Sequence, residues 1–180
     1  MSRYVAFLRG MNLGGRRIKN EELRRHFEGM GFEEVATFRA SGNVIFSTSG
    51  REAESKLAQR VEVELDQRLG YDVPVFLRSI EEVAAIAAQE PFDPKRVEKS
   101  KGKLQVSLLA EKPSASAKKK VLALATDEDL LALDGRELYW LPSGGLLESD
   151  LDLGAIEGLL GTDTRRTMGT IEQIAAKYSG

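Results

Sequence analysis

An α+β fold with two ferredoxin-like (βαββαβ-type) halves, antiparallel-rich sheets and a C-terminal helix is predicted by three features of the sequence. Apolar periodicity switches between strand and helix in the order β-α-β-β-α-β as far as Leu77, the split βαβ pattern. A weaker β-α-β-β-α round follows and ends in a terminal helix. Between the two lies the turn-rich Glu90-Pro91-Phe92-Asp93-Pro94, which sets the boundary between an N-terminal domain at 1–90 and a C-terminal domain at 91–180. The repeat is one of element order, without convincing residue-level self-similarity.

Taken in order, Tyr4 to Arg9 alternates loosely as a first strand, and the glycine-rich loop Gly10 to Arg17 follows it. Asn20 serves as N-cap, with Glu21 and Glu22 in the first helical turn, where carboxylates suit the helix dipole. Leu23, Phe27 and Met30 recur at helical spacing and Gly31 closes that helix. Val35 to Arg39 and Val44 to Ser47 read as strands around the turn Ser41-Gly42-Asn43. Ser49 with Glu52 forms a capping-box pattern. Leu57, Val61, Leu65 and Leu69 make one stripe ending at Gly70. Val73, Val75 and Leu77 alternate as a fourth strand, which Pro74 assigns to an edge. Ser79 with Glu82 caps a short helix through Ala88.

In the second round, Leu104 to Ala110 is a strand, and Pro113 suits the first turn of a helix running to about Ala125. Asp129 to Leu133 and Glu137 to Leu141 pair around Asp134-Gly135, a strong hairpin turn. Leu153 to Leu160 is helical. Thr164 to Thr167 reads as a basic loop, and Thr170 with Gln173 caps the last helix, whose Ile171, Ile174, Ala175 and Tyr178 share a face.

The composition excludes several chemistries. With no cysteine there is no disulfide, thiolate nucleophile or iron–sulfur cluster, and the single histidine, His26, rules out a multi-histidine metal site within one chain. No metal and no cofactor are expected. No apolar run approaches the ~18 residues of a membrane span, and Arg9 interrupts the first apolar stretch too early for a signal peptide. A cytoplasmic, membrane-free protein is therefore expected. Net charge is −2, but residues 1–20 hold five basic side chains and no acid, whereas residues 127–163 hold ten acids and one arginine. Such asymmetry permits a local anion site without bulk nucleic-acid coating.

Arg9-Gly10-Met11-Asn12-Leu13-Gly14-Gly15, Ser41-Gly42-Asn43-Val44-Ile45-Phe46 and Thr164-Arg165-Arg166-Thr167-Met168-Gly169-Thr170, with Pro91-Phe92 and Leu138 to Pro142, together resemble domain-of-unknown-function family 1697 over nearly the whole chain. The resemblance implies an α+β fold with ferredoxin-like halves and brings no catalytic residues with it. That family's late motif has an Asn and a Trp where this chain has Arg166 and Met168.

The most informative segment is the glycine-rich loop. Glycines after a strand expose backbone N–H groups, the following helix adds a partial positive charge, and arginines supply charge-assisted donors. The loop is not a Walker A loop, and without G-x-G-x-x-G a dinucleotide cofactor is unsupported. In a split βαβ sheet the third strand lies between the first two and antiparallel to both. The ends of the first two strands and the start of the third then share an edge, where Arg9, Arg39 and Asn43 meet the loop. Arg9, Asn12, Gly14, Gly15, Arg16 and Asn43 are accordingly the expected ligand-binding residues, for a phosphate-bearing small molecule or nucleotide. Single-stranded RNA binding through Phe7, Phe38 and Phe46 on the sheet is a second reading. An enzyme acting on an anionic substrate is a third, with no evident acid, base or nucleophile. Arg165 and Arg166 either join the anion site or are a solvated basic pair. His26 is read as a surface or boundary residue, Glu148 to Asp152 as an acid-rich helix start, and Lys118 to Lys120 as a solvated helix face.

Overall fold

The computed structural model describes residues 1–11, 18–39 and 42–180. The chain divides into two compact units, residues 1–83 with 177–180, and residues 84–176. In the first unit, β1 (Ser2–Leu8), α1 (Asn20–Gly29), β2 (Glu33–Thr37), β3 (Asn43–Thr48), α2 (Glu54–Leu69) and β4 (Val75–Ser79) follow the expected order. The strands form one antiparallel sheet in the order β2-β3-β1-β4, so β3 does lie between β1 and β2. A short α3 (Ile80–Ala87) follows directly.

Strand alternation decides which side chains enter the core. Ala6 and Leu8 of β1, Val44 and Phe46 of β3, and Val75 and Leu77 of β4 share a cluster with Leu23 and Phe27 of α1 and Leu57, Val61 and Leu65 of α2. These helical residues recur at four-residue spacing, one face per helix. Phe46 is the hub, with its ring 4.3 Å from that of Phe32, 5.7 Å from Phe27 and 5.9 Å from Tyr4. Burying each such side chain stabilises the fold by roughly 1.5–3 kcal/mol. Gly70 ends α2 at φ 80, its N–H donating to the Asp66 carbonyl at 2.8 Å.

The second unit opens with α4 (Pro94–Lys99), then β5 (Gln105–Leu109), α5 (Ala115–Leu122), β6 (Asp129–Asp134), β7 (Glu137–Pro142), α6 (Leu153–Leu160), β8 (Asp163–Thr167) and α7 (Met168–Tyr178). Its sheet has the order β6-β7-β5-β8, again antiparallel throughout. Val121, Leu133, Leu138 and Ile156 form a core cluster there, flanked by leucines of α5, α6 and β6. Asp134 pairs with Glu137 across the tight turn, where Gly135 takes φ 57.

Four local expectations are corrected. Helix α1 starts at Asn20 itself, with Lys19 at the cap position, because the Asn20 side-chain amide donates instead to the Arg39 carbonyl at 3.0 Å. Helix α2 starts at Glu54 without a side-chain cap: the Glu52 carboxylate is taken up by Arg60, whose Nη2 lies 2.9 Å away. The cap of α7 is Thr167 rather than Thr170, its Oγ1 accepting from the Thr170 N–H at 3.2 Å. Most consequentially, Thr164 to Thr167 is not a loop but the body of β8.

With β8 in place, the two units have the same strand order and a residue-level correspondence. Val5 of β1 faces Arg78 of β4, and Val106 of β5 faces Arg166 of β8. Both arginines are buried, and each donates Nη1 to the carbonyl of the residue before it, at 2.8 and 2.9 Å. Each is followed by a hydroxyl residue, Ser79 or Thr167, that accepts from the N–H three residues on. The Ser79–Glu82 pair is a complete capping box, with the Glu82 carboxylate accepting from the Ser79 N–H at 2.9 Å.

Candidate functional site

Backbone hydrogen bonds among the described residues build the shared sheet edge. Leu8 donates to the Gly42 carbonyl at 2.9 Å, Arg9 to Pro74 at 3.0 Å, and Phe38 to Asn43 at 3.0 Å. The last residues of β1 thus lie between the β2–β3 connection and the entry to β4. Among the described residues here, Gly10 at φ 75, Arg39 at φ 58 and Gly42 at φ 77 adopt left-handed backbone. Gly42 is dictated by space as well as φ, since a Cβ there would sit 2.9 Å from Met11 Cγ and 3.1 Å from the Leu8 carbonyl oxygen.

Arg9 is half-buried where β1 ends, and Arg39 is exposed, its guanidinium 5.5 Å from the Phe38 ring centroid. The Asn20–Arg39 hydrogen bond brings the first turn of α1 against the β2–β3 connection. Arg9, Arg39 and the N-terminal end of α1 are therefore gathered at one edge. Asn43 reaches the same edge in a different capacity: it is 1% exposed, and its amide donates to the Phe38 carbonyl at 2.9 Å, clamping the turn. Asn12, Gly14, Gly15 and Arg16 lie outside the described residues, as do Leu13, Arg17 and Ser41.

The second unit provides an internal comparison. There the bond equivalent to Leu8–Gly42 runs from Leu109 to the Arg136 carbonyl at 2.9 Å. The path from β5 to α5 takes only residues 110–114, and the hairpin turn only 135–136. In the first unit the corresponding paths are 9–19 and 38–42. The same scaffold thus carries an extended Gly/Arg connection in one unit and a short one in the other.

A family model described as a protein of unknown function, DUF1697, matches residues 1–139. The chain belongs to the DUF1697 family. No curated protein matches it. Among solved structures it is similar to the conserved bacterial protein SP0830 from Streptococcus pneumoniae, at 19% identity and a TM-score of 0.73, over 100% of this chain and 99% of that one. At that identity the likeness speaks for the fold.

Beyond the matched segment of this DUF1697 protein, Arg165 and Arg166 part company. Arg165 is exposed and stacks over Trp140, 5.0 Å from its ring. Arg166 is buried, with Nη1 donating to Thr164 Oγ1 at 2.9 Å, and burial pushes its pKa down to about 10. Asp129, which sequence reasoning passed over, is buried and accepts from Trp140 Nε1 and Ser149 Oγ, both at 2.8 Å. A lone indole in an apolar strand calls for such an acceptor, and that was the available clue. Asp152 caps α6 through the Ala155 N–H, as an acid-rich helix start requires. His26 is half-buried in the last turn of α1, and Lys118 to Lys120 are exposed.

Proposed function

We propose that this DUF1697 protein is a cytoplasmic module that binds a phosphate-bearing small molecule or nucleotide at the edge of its first sheet. The observation carrying this reading is the contrast between the two units: at one topological position, the first unit replaces a short connection with an extended Gly/Arg one beside Arg9, Arg39 and the start of α1. Two guanidiniums and a helix N-terminus suit a phosphate, which takes bidentate donors and favours the positive dipole end. Asn12, Gly14, Gly15 and Arg16 belong to that connection and are proposed to complete the site with Arg9. Asn43 serves it by holding the turn.

Burial of Phe7 and Phe46 favours this reading over single-stranded RNA, and half-buried Phe38 has the Arg39 guanidinium against its ring. Base stacking needs exposed rings, whereas Phe7 and Phe46 are both 0% exposed and Phe46 is enclosed by Phe27, Phe32 and Tyr4. Among the described residues no helix is long and apolar enough to cross a membrane, in keeping with the cytoplasmic reading.

Calorimetric titration of a nucleotide and sugar-phosphate panel tests the site. Arg9→Ala and Arg39→Ala should each weaken a binding member by about 1.5–3 kcal/mol, the range for a hydrogen bond to a charged group. Arg136→Ala, at the equivalent edge of the second unit, should leave binding unchanged. Undiminished affinity in folded Arg9→Ala protein would remove the site from this edge.

A further inference from the structure

The second unit contains a cleft of about 620 Å³, a volume typical of small-molecule sites, and the anion reading makes no use of it. One wall is the connector around Pro91 and Phe92 together with one face of α4. Pro94, Val97 and Glu98, at i, i+3 and i+4, line the cleft, while Arg96 and Lys99 of the same helix line a separate cavity of about 140 Å³. Arg96 is held there by donating Nη2 to the Asp127 carbonyl at 2.9 Å. The opposite wall is the first turn of α7, tied down by the Met168 N–H donating to the Leu104 carbonyl at 2.9 Å. Four residues on from Met168, Glu172 falls on the same face and also lines the cleft.

The charges facing this space are unbalanced. Glu90, Glu98 and Glu172 line it, against Lys103 as the one cation among its described lining residues. The start of α7 adds up to about half a positive charge, which leaves the cleft negative. Apart from Gln89 and Thr167 its walls are otherwise apolar, with Pro91, Phe92, Val97 and Leu104, and the face of Phe92 attracts a cation at close range. Apolar walls with a carboxylate rim match a ligand that is apolar along its length and positive at its end.

We propose that this cleft binds an amphipathic cation, a protonated amine on an apolar body, with the ammonium among Glu98, Glu172 and Glu90 and the body against Phe92 and Leu104. The site is independent of the first-unit anion edge.

Octylammonium and octanoate, equal in chain length and opposite in charge, are suitable probes for calorimetric titration. Octylammonium should bind saturably and at least tenfold more tightly than octanoate. The exposed double change Glu98→Gln with Glu172→Gln should weaken octylammonium at least fivefold and narrow the preference. Phe92→Ala should weaken both probes, and Arg9→Ala should affect neither. Circular dichroism establishes that each variant is folded. Octanoate binding as tightly as octylammonium would show that Lys103 and the α7 start govern the cleft, and would overturn the proposal. So would octylammonium affinity that survives the double glutamine change, or the absence of saturable binding by the wild type.

Discussion

Gly42 combines a left-handed φ of 77 with a crowded Cβ position, whereas Gly70 has φ 80 and open space around it. The pair separates strain from clash. Gly70→Ala should cost about 1 kcal/mol for the backbone alone, and Gly42→Ala at least ~1 kcal/mol more, measured by urea denaturation. Equal costs would mean that Met11 and Leu8 yield without penalty. Asp129→Ala should cost about 1.5–3 kcal/mol by stranding Trp140 Nε1 and Ser149 Oγ, and Asp129→Asn less, because the amide oxygen still accepts.

For Arg166 the test is pH. Its folded pKa of about 10 lies below that of an unburied arginine, so up to pH 9 both states are protonated and the burial cost is constant. Above pH 10 the folded state releases its proton first, and stability rises by up to about 1.4 kcal/mol per pH unit. Measured against Arg166→Met, wild type should show a flat difference between pH 6 and 9 and gain on the variant above 10. A difference that stays flat to pH 12 would refute the shift. At this scale sequence reading succeeded where chemistry is local, as at Gly70 and Asp134-Gly135. It was silent on Arg78 and Asp129, whose roles arise from partners and burial that only the fold supplies.

Helix and strand boundaries show the same division between local and distant causes. Ser79 and Glu82 satisfy each other within one turn, so the pattern was legible. Ser49 and Glu52 show the same spacing, but Arg60, nearly two turns into α2, captures the carboxylate. Strand β8 escaped notice because its inward residues are Thr164 and Arg166, with exposed Arg165 between them and exposed Thr167 after. The period-2 burial is present, but an inward arginine reads as polar and conceals it. Both hydroxyl caps should matter to the strand-to-helix junctions: Ser79→Ala and Thr167→Ala should each lose about 1 kcal/mol in denaturant midpoint analysis. The two costs should be similar, since the Glu82 carboxylate still accepts from the backbone N–H of residue 79 after Ser79→Ala. A neutral effect at both would show that the buried arginines alone set these junctions.

Over the whole molecule, the antiparallel sheets and the β-α-β-β-α-β order of the first unit were legible because periodicity persists through every element. The matching order of the second unit was not, since it depends on β8. The return of residues 177–180 to the first unit was equally hidden: Arg3 donates to the Tyr178 carbonyl at 2.8 Å, and a backbone acceptor has no sequence signature. Hydrogen exchange should reflect the two sheets alike, with the central strands β1, β3, β5 and β7 slower than the edge strands β2 and β6. Faster exchange in β5 and β7 than in β6 would contradict the strand order.

Trp140, joined to Asp129 and covered by Arg165, is the protein's single tryptophan, and it belongs to the second unit. The molecule therefore carries a native fluorophore on one unit. Loss of the Asp129 hydrogen bond and of the overlying guanidinium during unfolding should shift indole emission to the red. A denaturation step that lowers far-ultraviolet ellipticity while leaving that emission fixed would belong to the first unit. The stabilities of the two units can thus be followed separately, in unlabelled protein, by comparing two optical signals.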